Sequence, residues 1–303
     1  MIYQSGSFDF MGYVSCNLCG ADSYTVVFPK GKAQLHQIVR CKQCTLMYAN
    51  PQESVDCETV NLQDAPRVYR PEEHWQYFQK QHVQIPDNLR ALAVLDELVP
   101  QRGKLLEVGS YLGIFLDRIR EDGWTVVGLE PFRAAADYAR AQYGVPVIDG
   151  TLPQPNLPAA SFDAAIMLHV IEHMPDPADS LRELRRLLRK DGVLVIETPR
   201  YDSLTFKLLR HRERSVSACD GHIYFFTVPT LRRMVQQAGF AVERVDLVGR
   251  TLTLQRLLTN IAIISKSAAV RRVFDRIGPA LQAERLRFHI NARDMQRIYC
   301  RAI

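Results

Sequence analysis

No run of 18 uncharged apolar residues occurs in the 303-residue chain, which excludes an ordinary membrane-spanning helix. The nearest stretch, 257–269, is broken by Asn260, Ser265, Lys266 and Ser267. The opening residues, MIYQSGSFDFMG, lack the basic segment and apolar run of a secretory leader, so the expected location is cytoplasmic. Cysteine is sparse and odd in number, seven in all, which excludes a disulfide scaffold and suits a reducing compartment. Neither a Gly-Lys-Ser nor a Gly-Lys-Thr phosphate loop occurs, so an ATPase of that kind has no support. The three-glycine dinucleotide fingerprint is missing as well.

What is present is ample apolar material, 47% of residues, enough for a large core and too much for a disordered chain. The net charge of +5 is mild but uneven. Residues 250–303 hold eleven Arg or Lys against three acids, so the rest of the chain is slightly acidic.

Four of the seven cysteines form two identical pairs, Cys16-x2-Cys19 and Cys41-x2-Cys44. A two-residue gap lets both sulfurs of a tight knuckle face one ion, and two knuckles supply a tetrahedral thiolate set that suits Zn²⁺. The 21 residues between them read as a hairpin turning at Pro29-Lys30-Gly31-Lys32. Residues 1–50 therefore read as a zinc ribbon. Its metal is expected to be structural, because four thiolates leave no open position. A redox role fits poorly, since neither pair begins a helix after a strand. Cys57, Cys219 and Cys300 read as ordinary free thiols.

Residues 51–80 read as a linker and the start of a helical segment over 73–98, with Pro86 near a helix start and Leu89, Leu92, Leu95 and Leu98 beyond it. From 104 the pattern alternates. KLLEV is a strand, GSYLG a turn, 114–121 an amphipathic helix, and 124–129 a second strand that ends at Glu130. Strand, glycine turn, helix, strand and acid form a nucleotide-binding half-motif, in which the acid can accept both hydroxyls of a ribose. Further strands are expected at 145–148, within 161–168 and at 193–197, the last preceded by a Lys190-Asp191-Gly192 turn. This alternation predicts an α/β fold, a Rossmann-like, mostly parallel sheet sandwiched by helices, with ligands at the carboxyl ends of the strands.

Four segments carry a resemblance: LLEVGSYLGIFLDRIREDGWTVVGLEP, GTLPQPNLPAASFDAAIMLHVIEHMPDP, LRELRRLLRKDGVLVIETP and GHIYFFTVPTLRRMVQQAGF. Together they resemble the small-molecule branch of the class I S-adenosylmethionine-dependent methyltransferase family, whose sheet has seven strands. The resemblance spans roughly residues 80–248 and implies a catalytic domain over 81–248. It also implies S-adenosyl-L-methionine as cofactor. Glu107, Gly109 and Gly113 would frame its methionine end and ribose, Glu130 its ribose hydroxyls, Thr151 and Leu152 its adenine, and His169 the region of its sulfonium. The chain has Gly150-Thr151 where many relatives have Gly-Asp, and Asp149 lies one residue early.

A hydroxyl nucleophile needs a base, and histidine is the natural one near neutral pH. His222 and His173 are the catalytic candidates. His222 precedes the run Tyr224-Phe225-Phe226, which could wall an apolar pocket. No His-Glu-x-x-His pattern falls on a helix, so a second metal is not expected. The Asn-Pro-Pro-Tyr or Asp-Pro-Pro-Tyr tetrad common in adenine and glutamine methylation is also missing. Arg200, Arg210, His211, Arg212 and Arg214 could grip an anionic substrate.

Residues 249–303 read as a basic helical region, with an apolar stripe at Leu254, Leu257, Leu258 and Ile261 followed by arginines. Such a region could cover the site, form a homodimer, lie on anionic lipid as a peripheral contact, or touch nucleic acid. The favoured reading is methyl transfer to an oxygen of a small molecule such as a sugar, a lipid-like compound or a secondary metabolite. One alternative is an RNA methyltransferase that grips nucleic acid with the ribbon and the basic end. Another is a binding protein on the same fold without catalysis.

Overall fold

In the computed structural model, described for residues 12–30, 37–52, 70–71, 75–210, 216, 222–265, 267, 269, 272–274 and 282–303, two sheets organise the chain. Strands β1 (Tyr24–Phe28), β2 (Ile38–Cys41) and β3 (Met47–Ala49) pair antiparallel in sequence order, as the ribbon predicts. A fourth strand joins them from far along the chain. Strand β9 (Tyr224–Phe225) pairs with β3 through Met47↔Phe225 and Tyr48↔Tyr224. The ribbon therefore shares its sheet with the expected catalytic domain, and residue 50 does not divide the packing.

The second sheet comprises β4 (Lys104–Val108), β5 (Thr125–Glu130), β6 (Val147–Asp149), β7 (Phe162–Leu168), β8 (Leu188–Pro199), β10 (Phe240–Thr253) and β11 (Arg287–Ala302). Its order is β10-β11-β8-β7-β4-β5-β6. The pairings from β8 to β6 are parallel, and β11 runs antiparallel between β8 and β10.

The inner strands are apolar on both faces because helices cover both. Leu105, Ala164, Ile166, Val193, Val195 and Tyr299 face a core shared with α1 (Trp75–Leu98), α2 (Ile114–Glu121) and α3 (Arg133–Tyr143). Their neighbours Leu106, Ala165, Met167, Leu194, Ile196 and Ile298 face a core shared with α4 (Pro177–Leu187), α6 (Val228–Gln237) and the ribbon. Period-two alternation sorts the side chains between these layers. Helix α4 starts where Asp176 accepts from Asp179 N, and α6 starts on a Thr227–Thr230 capping box. Between them lies the short helix α5 (Leu204–Leu209).

Three expectations are corrected. Pro86 sits inside α1, which begins at Trp75. Proline suits a first helical turn, but the packing of Ala91, Leu92 and Leu95 sustains the helix around it. The Lys190-Asp191-Gly192 turn is a bulge within β8, whose pairing jumps from Phe162↔Leu188 to Ala164↔Val193. The basic C-terminal region is helical only in part. Helix α7 spans Leu254–Ser265, but β11 is the strand next to β8, and residue 249 lies inside β10.

The arginines concealed that strand. Arg297 reads as solvated basic sequence, yet it is buried and donates to Glu197 Oε2 at 2.6 Å and to the Asp87 carbonyl at 2.9 Å. Arg301 pairs with Glu243, and Arg250 with Asp294. Three of the eleven basic residues in 250–303 are thus paired with acids, one of them in the core. Among the described residues no helix is long and apolar enough to cross a membrane.

Candidate active site at the strand ends

Strand β4 ends at Val108, and the chain turns through Gly109 (φ 77°), Tyr111 (φ 47°) and Gly113 (φ 75°) into α2. The N–H groups of Gly109 and Ser110 donate to the Leu129 carbonyl at 2.8 and 3.2 Å, tying the turn to β5. A Cβ on Gly109 would stand 2.6 Å from Val170 Cγ2, so glycine here lets the segment after β7 approach. On Gly113 it would stand 2.6 Å from Ala139 Cβ. The second glycine therefore serves α2–α3 packing.

Glu130 closes β5, and its carboxylate is clamped. Tyr111 N donates to Oε2 at 2.7 Å and Phe132 N to Oε1 at 2.9 Å. Each oxygen keeps a second lone pair for a ligand hydroxyl. Glu107 differs. It is buried on β4, its Oε2 has no hydrogen-bond partner, and burial and then Glu130 push its carboxyl well above the usual range. A cationic group beside Glu107 would reverse that shift, and an amino-acid ammonium fits this donor set.

Leu152 is buried and Thr151 exposed after β6. The Thr151 carbonyl accepts from Gln154 Nε2 at 2.7 Å. Asp149 is engaged through Oδ1 by Arg140 at 2.9 Å.

His169, Glu172, His173 and His222 meet beyond β7. His169 has φ 59°, and its N–H donates to the Glu197 carbonyl at 2.8 Å. Its Nε2 lies 3.3 Å from Glu197 Oε1, while Arg297 holds Oε2. Burial raises the Glu197 carboxyl, but His169 and Arg297 outweigh it and leave the group below its ordinary value. His173 ends a 3₁₀ turn, Ile171–His173, and its ring meets that of His222 edge-on at 4.6 Å. His222 Nδ1 is 2.9 Å from the Tyr201 hydroxyl. The fully buried Glu172 accepts from Thr198 Oγ1 at 2.9 Å on Oε2, and its Oε1 is unpartnered.

Tyr201 also lines a cavity of about 430 Å³, together with Phe28, Arg40, Met47, Phe206, Lys207 and Arg210. Phe225 packs edge-on against Tyr201 at 4.9 Å. The aromatic run after His222 thus backs an apolar pocket with basic groups at its edge. Arg200 is spent on Asp202 at 2.7 Å, and His211, Arg212 and Arg214 lie outside the described residues. The same is true of Cys57 and Cys219. Tyr201 and Glu197 were not singled out by sequence. Both lie at or just past the carboxyl end of β8, where a parallel sheet places its ligands, and that position was the available signal.

The four paired cysteines converge. Cys16 and Cys44 sulfurs are 3.3 Å apart, Cys19 and Cys41 sulfurs 3.5 Å apart, and all four lie within 4.8 Å of one another. Backbone N–H groups point at the sulfurs: Leu18 and Cys19 at Cys16, Cys44 and Gln43 at Cys41. Burial raises the Cys41 thiol, but these donors bring it to about 7. Burial leaves Cys16 well above the usual thiol range. The set fits a tetrahedral thiophilic ion, for which Zn–S bonds of about 2.3 Å are usual. Cys300 is buried in the main core away from these knuckles.

Comparison with known proteins gives a consistent result. A family described as a methyltransferase domain matches residues 77–245, more than half of the chain. A "probable S-adenosylmethionine-dependent methyltransferase" of Mycolicibacterium smegmatis is 32% identical over 140 residues, covering 46% of this chain and 52% of that protein. The tRNA U34 carboxymethyltransferase of Haemophilus influenzae is 30% identical over 174 residues, covering 54% and 53%. The chain thus spans about half the length of these curated relatives. A Thermotoga maritima crystal structure, titled as an S-adenosylmethionine-dependent methyltransferase and possible histamine N-methyltransferase, shares the fold. It aligns with TM-score 0.51 at 21% identity, over 82% of this chain and 98% of that one.

Proposed function

The chain belongs to the S-adenosylmethionine-dependent methyltransferase family, and from that premise we propose that it methylates an oxygen atom of a small molecule. The observation that carries this reading is Tyr201, which touches His222 at 2.9 Å and lines the 430 Å³ cavity. A mostly apolar cavity whose wall residue Tyr201 also contacts the His222 ring suits a compact acceptor. Arg40, Lys207 and Arg210 on its lining add a preference for an acceptor with an anionic group.

The cofactor, when bound, supplies a methyl group on a sulfonium, and the chain aligns the acceptor with it. In this reading Glu107 holds the ammonium, Glu130 the ribose hydroxyls, Leu152 and Thr151 the adenine, and His169 the sulfonium side. Gly109 allows close backbone approach, and Gly113 keeps the turn in shape. His222 stands where an acceptor proton can be taken, with Tyr201 orienting its ring and His173 against it. The paired cysteines hold a structural zinc, supported by the sulfur distances and the backbone donors.

The likeness to tRNA-modifying relatives supports a second reading, with RNA as acceptor. Against it stand the pairing of Arg297 with a buried acid and of Arg250 and Arg301 with nearby acids, which partly neutralise that end of the chain. A methyl-transfer assay with product mass spectrometry, against pooled metabolites and against RNA, separates the two. Methylated small molecules and unmodified RNA are expected from the wild type. In the same assay Glu130→Ala should weaken cofactor binding by about 2 kcal/mol, roughly thirtyfold. Unchanged affinity would displace the cofactor from the end of β5.

A further inference from the structure

Outside the cysteine knuckles, metal-ligating side chains converge at one other place among the described residues. A carboxylate oxygen of Glu172 and ring nitrogens of His173 and His222 lie within 4.8 Å of one another. No local spacing announces this set, because its third member comes from 49 residues downstream through the β3–β9 pairing. We propose that Glu172, His173 and His222 bind a divalent cation that in turn binds the acceptor.

Three observations support the site. Glu172 is fully buried, and its Oε1 has no hydrogen-bond partner, the nearest ring nitrogen of His169 being 3.9 Å away. A buried carboxylate oxygen without a donor is costly unless a cation serves it. Second, both groups that a metal site would need oriented already have supports. Thr198 Oγ1 holds the other oxygen of Glu172, and the Tyr201 hydroxyl lies 2.9 Å from Nδ1 of His222. Third, the two histidines are only half-buried while Glu172 is closed off, so a bound ion would be anchored from within and open on its histidine side.

Two imidazoles and one carboxylate suit Zn²⁺, Mn²⁺, Fe²⁺ or Co²⁺, and three protein ligands leave positions for substrate oxygens. An acceptor with two adjacent oxygens, a vicinal diol or catechol, would fill them. The ion lowers the pKa of the bound hydroxyl, and the proton leaves to water. The resulting oxygen anion forms the new C–O bond as the methyl–sulfur bond breaks. The electron pair of that bond stays on sulfur, which becomes a neutral thioether. With the ion bound, His222 and His173 act as ligands, and the ion takes over proton removal. This inference rests on the preceding reading only for the place of the cluster beside the acceptor.

The test is a Mn²⁺ titration of protein carrying one zinc per chain, followed by the loss of the free-Mn²⁺ paramagnetic resonance signal. Thiolates discriminate against Mn²⁺, so the knuckles stay out of the readout. One Mn²⁺ per chain is expected in the wild type. Glu172→Gln and His222→Ala should each weaken binding by more than about tenfold, and Tyr201→Phe by about tenfold. Cofactor affinity, measured alongside, should be retained in His222→Ala and reports that the variant folds. A wild type that leaves the Mn²⁺ signal free, or variants that bind as the wild type does, would overturn the site. Methyl transfer without Mn²⁺ binding refutes this inference alone. Mn²⁺ binding with no transfer to any small molecule supports the site and refutes the acceptor class.

Discussion

The cysteine knuckles and the strand-end carboxylates both bury groups that can carry charge, and they hold them differently. In the knuckles, four chemically identical atoms gather within 4.8 Å, and the backbone donors at Cys16 and at Cys41 come from each sulfur's own turn. At the strand ends, four glutamates come from separate segments and have unequal partners. Glu130 accepts two backbone N–H groups, and Glu197 is held by Arg297 and His169. Glu172 is served on one oxygen, and Glu107 has an oxygen with none. The one ion proposed for the knuckle would complete it. The strand ends are graded, and their unserved oxygens mark where bound ligands finish the set.

The largest effect should come from the knuckles. Removing the metal, or replacing Cys16 and Cys41 with serine, discards a binding energy on the order of 10 kcal/mol that is also folding energy. Because β3 carries β9 beside His222, the loss should reach the site as well. Thermal unfolding with and without a strong chelator checks this. An unchanged melting temperature would mean the knuckles hold no metal.

The Arg297–Glu197 pair comes next. Both partners are buried, so Arg297→Ala leaves the carboxylate with His169 alone and should cost about 3 kcal/mol in denaturant unfolding. Glu197 is depressed in the folded state. Its contribution is therefore present above the unfolded carboxyl value of about 4.3 and lost as pH falls through the lower folded value. Arg297→Ala should flatten that acid limb. A limb of wild-type steepness would assign it to other carboxylates.

Glu107 should behave in the opposite sense. Its carboxyl is raised, so the folded state holds the proton more tightly than the unfolded chain does. Stability should fall as pH rises from about 4.3 through the folded value. Glu107→Gln should remove that fall and stabilise the free protein at neutral pH by about 1–3 kcal/mol, while weakening cofactor binding. Unfolding across pH and calorimetric titration give the two readouts. A glutamine variant that is less stable but binds the cofactor normally would contradict the assignment.

The same contrast explains what the sequence discloses. Cysteine spacing, the glycine turn after KLLEV and the acid closing β5 are local patterns, and each lies where its spacing places it. Gly109 and Glu130 come together because their strands are parallel neighbours and the turn after β4 is hydrogen-bonded to β5. Pairings made by topology left no local trace. Arg297 reads as solvated charge because its partner Glu197 is a hundred residues away. Tyr201 was silent because its partner, His222, lies beyond a long segment. The strand β11 is hidden by its arginines, although Ile298-Tyr299-Cys300 is an apolar triplet buried on both faces.

The smallest predicted effect concerns the link between the two regions. Asn17 sits inside the first knuckle, where its Oδ1 accepts from Ala178 N and its Nδ2 donates to Asp176 Oδ1, each at 2.9 Å. Asp176 in turn caps α4 three residues after His173. Asn17→Ala removes both contacts at a half-buried position and should cost about 1 kcal/mol of stability. Asn17→Asp keeps the acceptor for Ala178 N but sets a carboxylate against Asp176, so it should cost more than alanine does, and the excess should shrink as salt is added. Because Asp176 belongs to the segment carrying His173, both variants should lower kcat with little change in cofactor affinity. Equal stability of the two variants would show that the knuckle touches α4 without holding it. A loss confined to cofactor affinity would move the coupling from the histidines to the glycine turn.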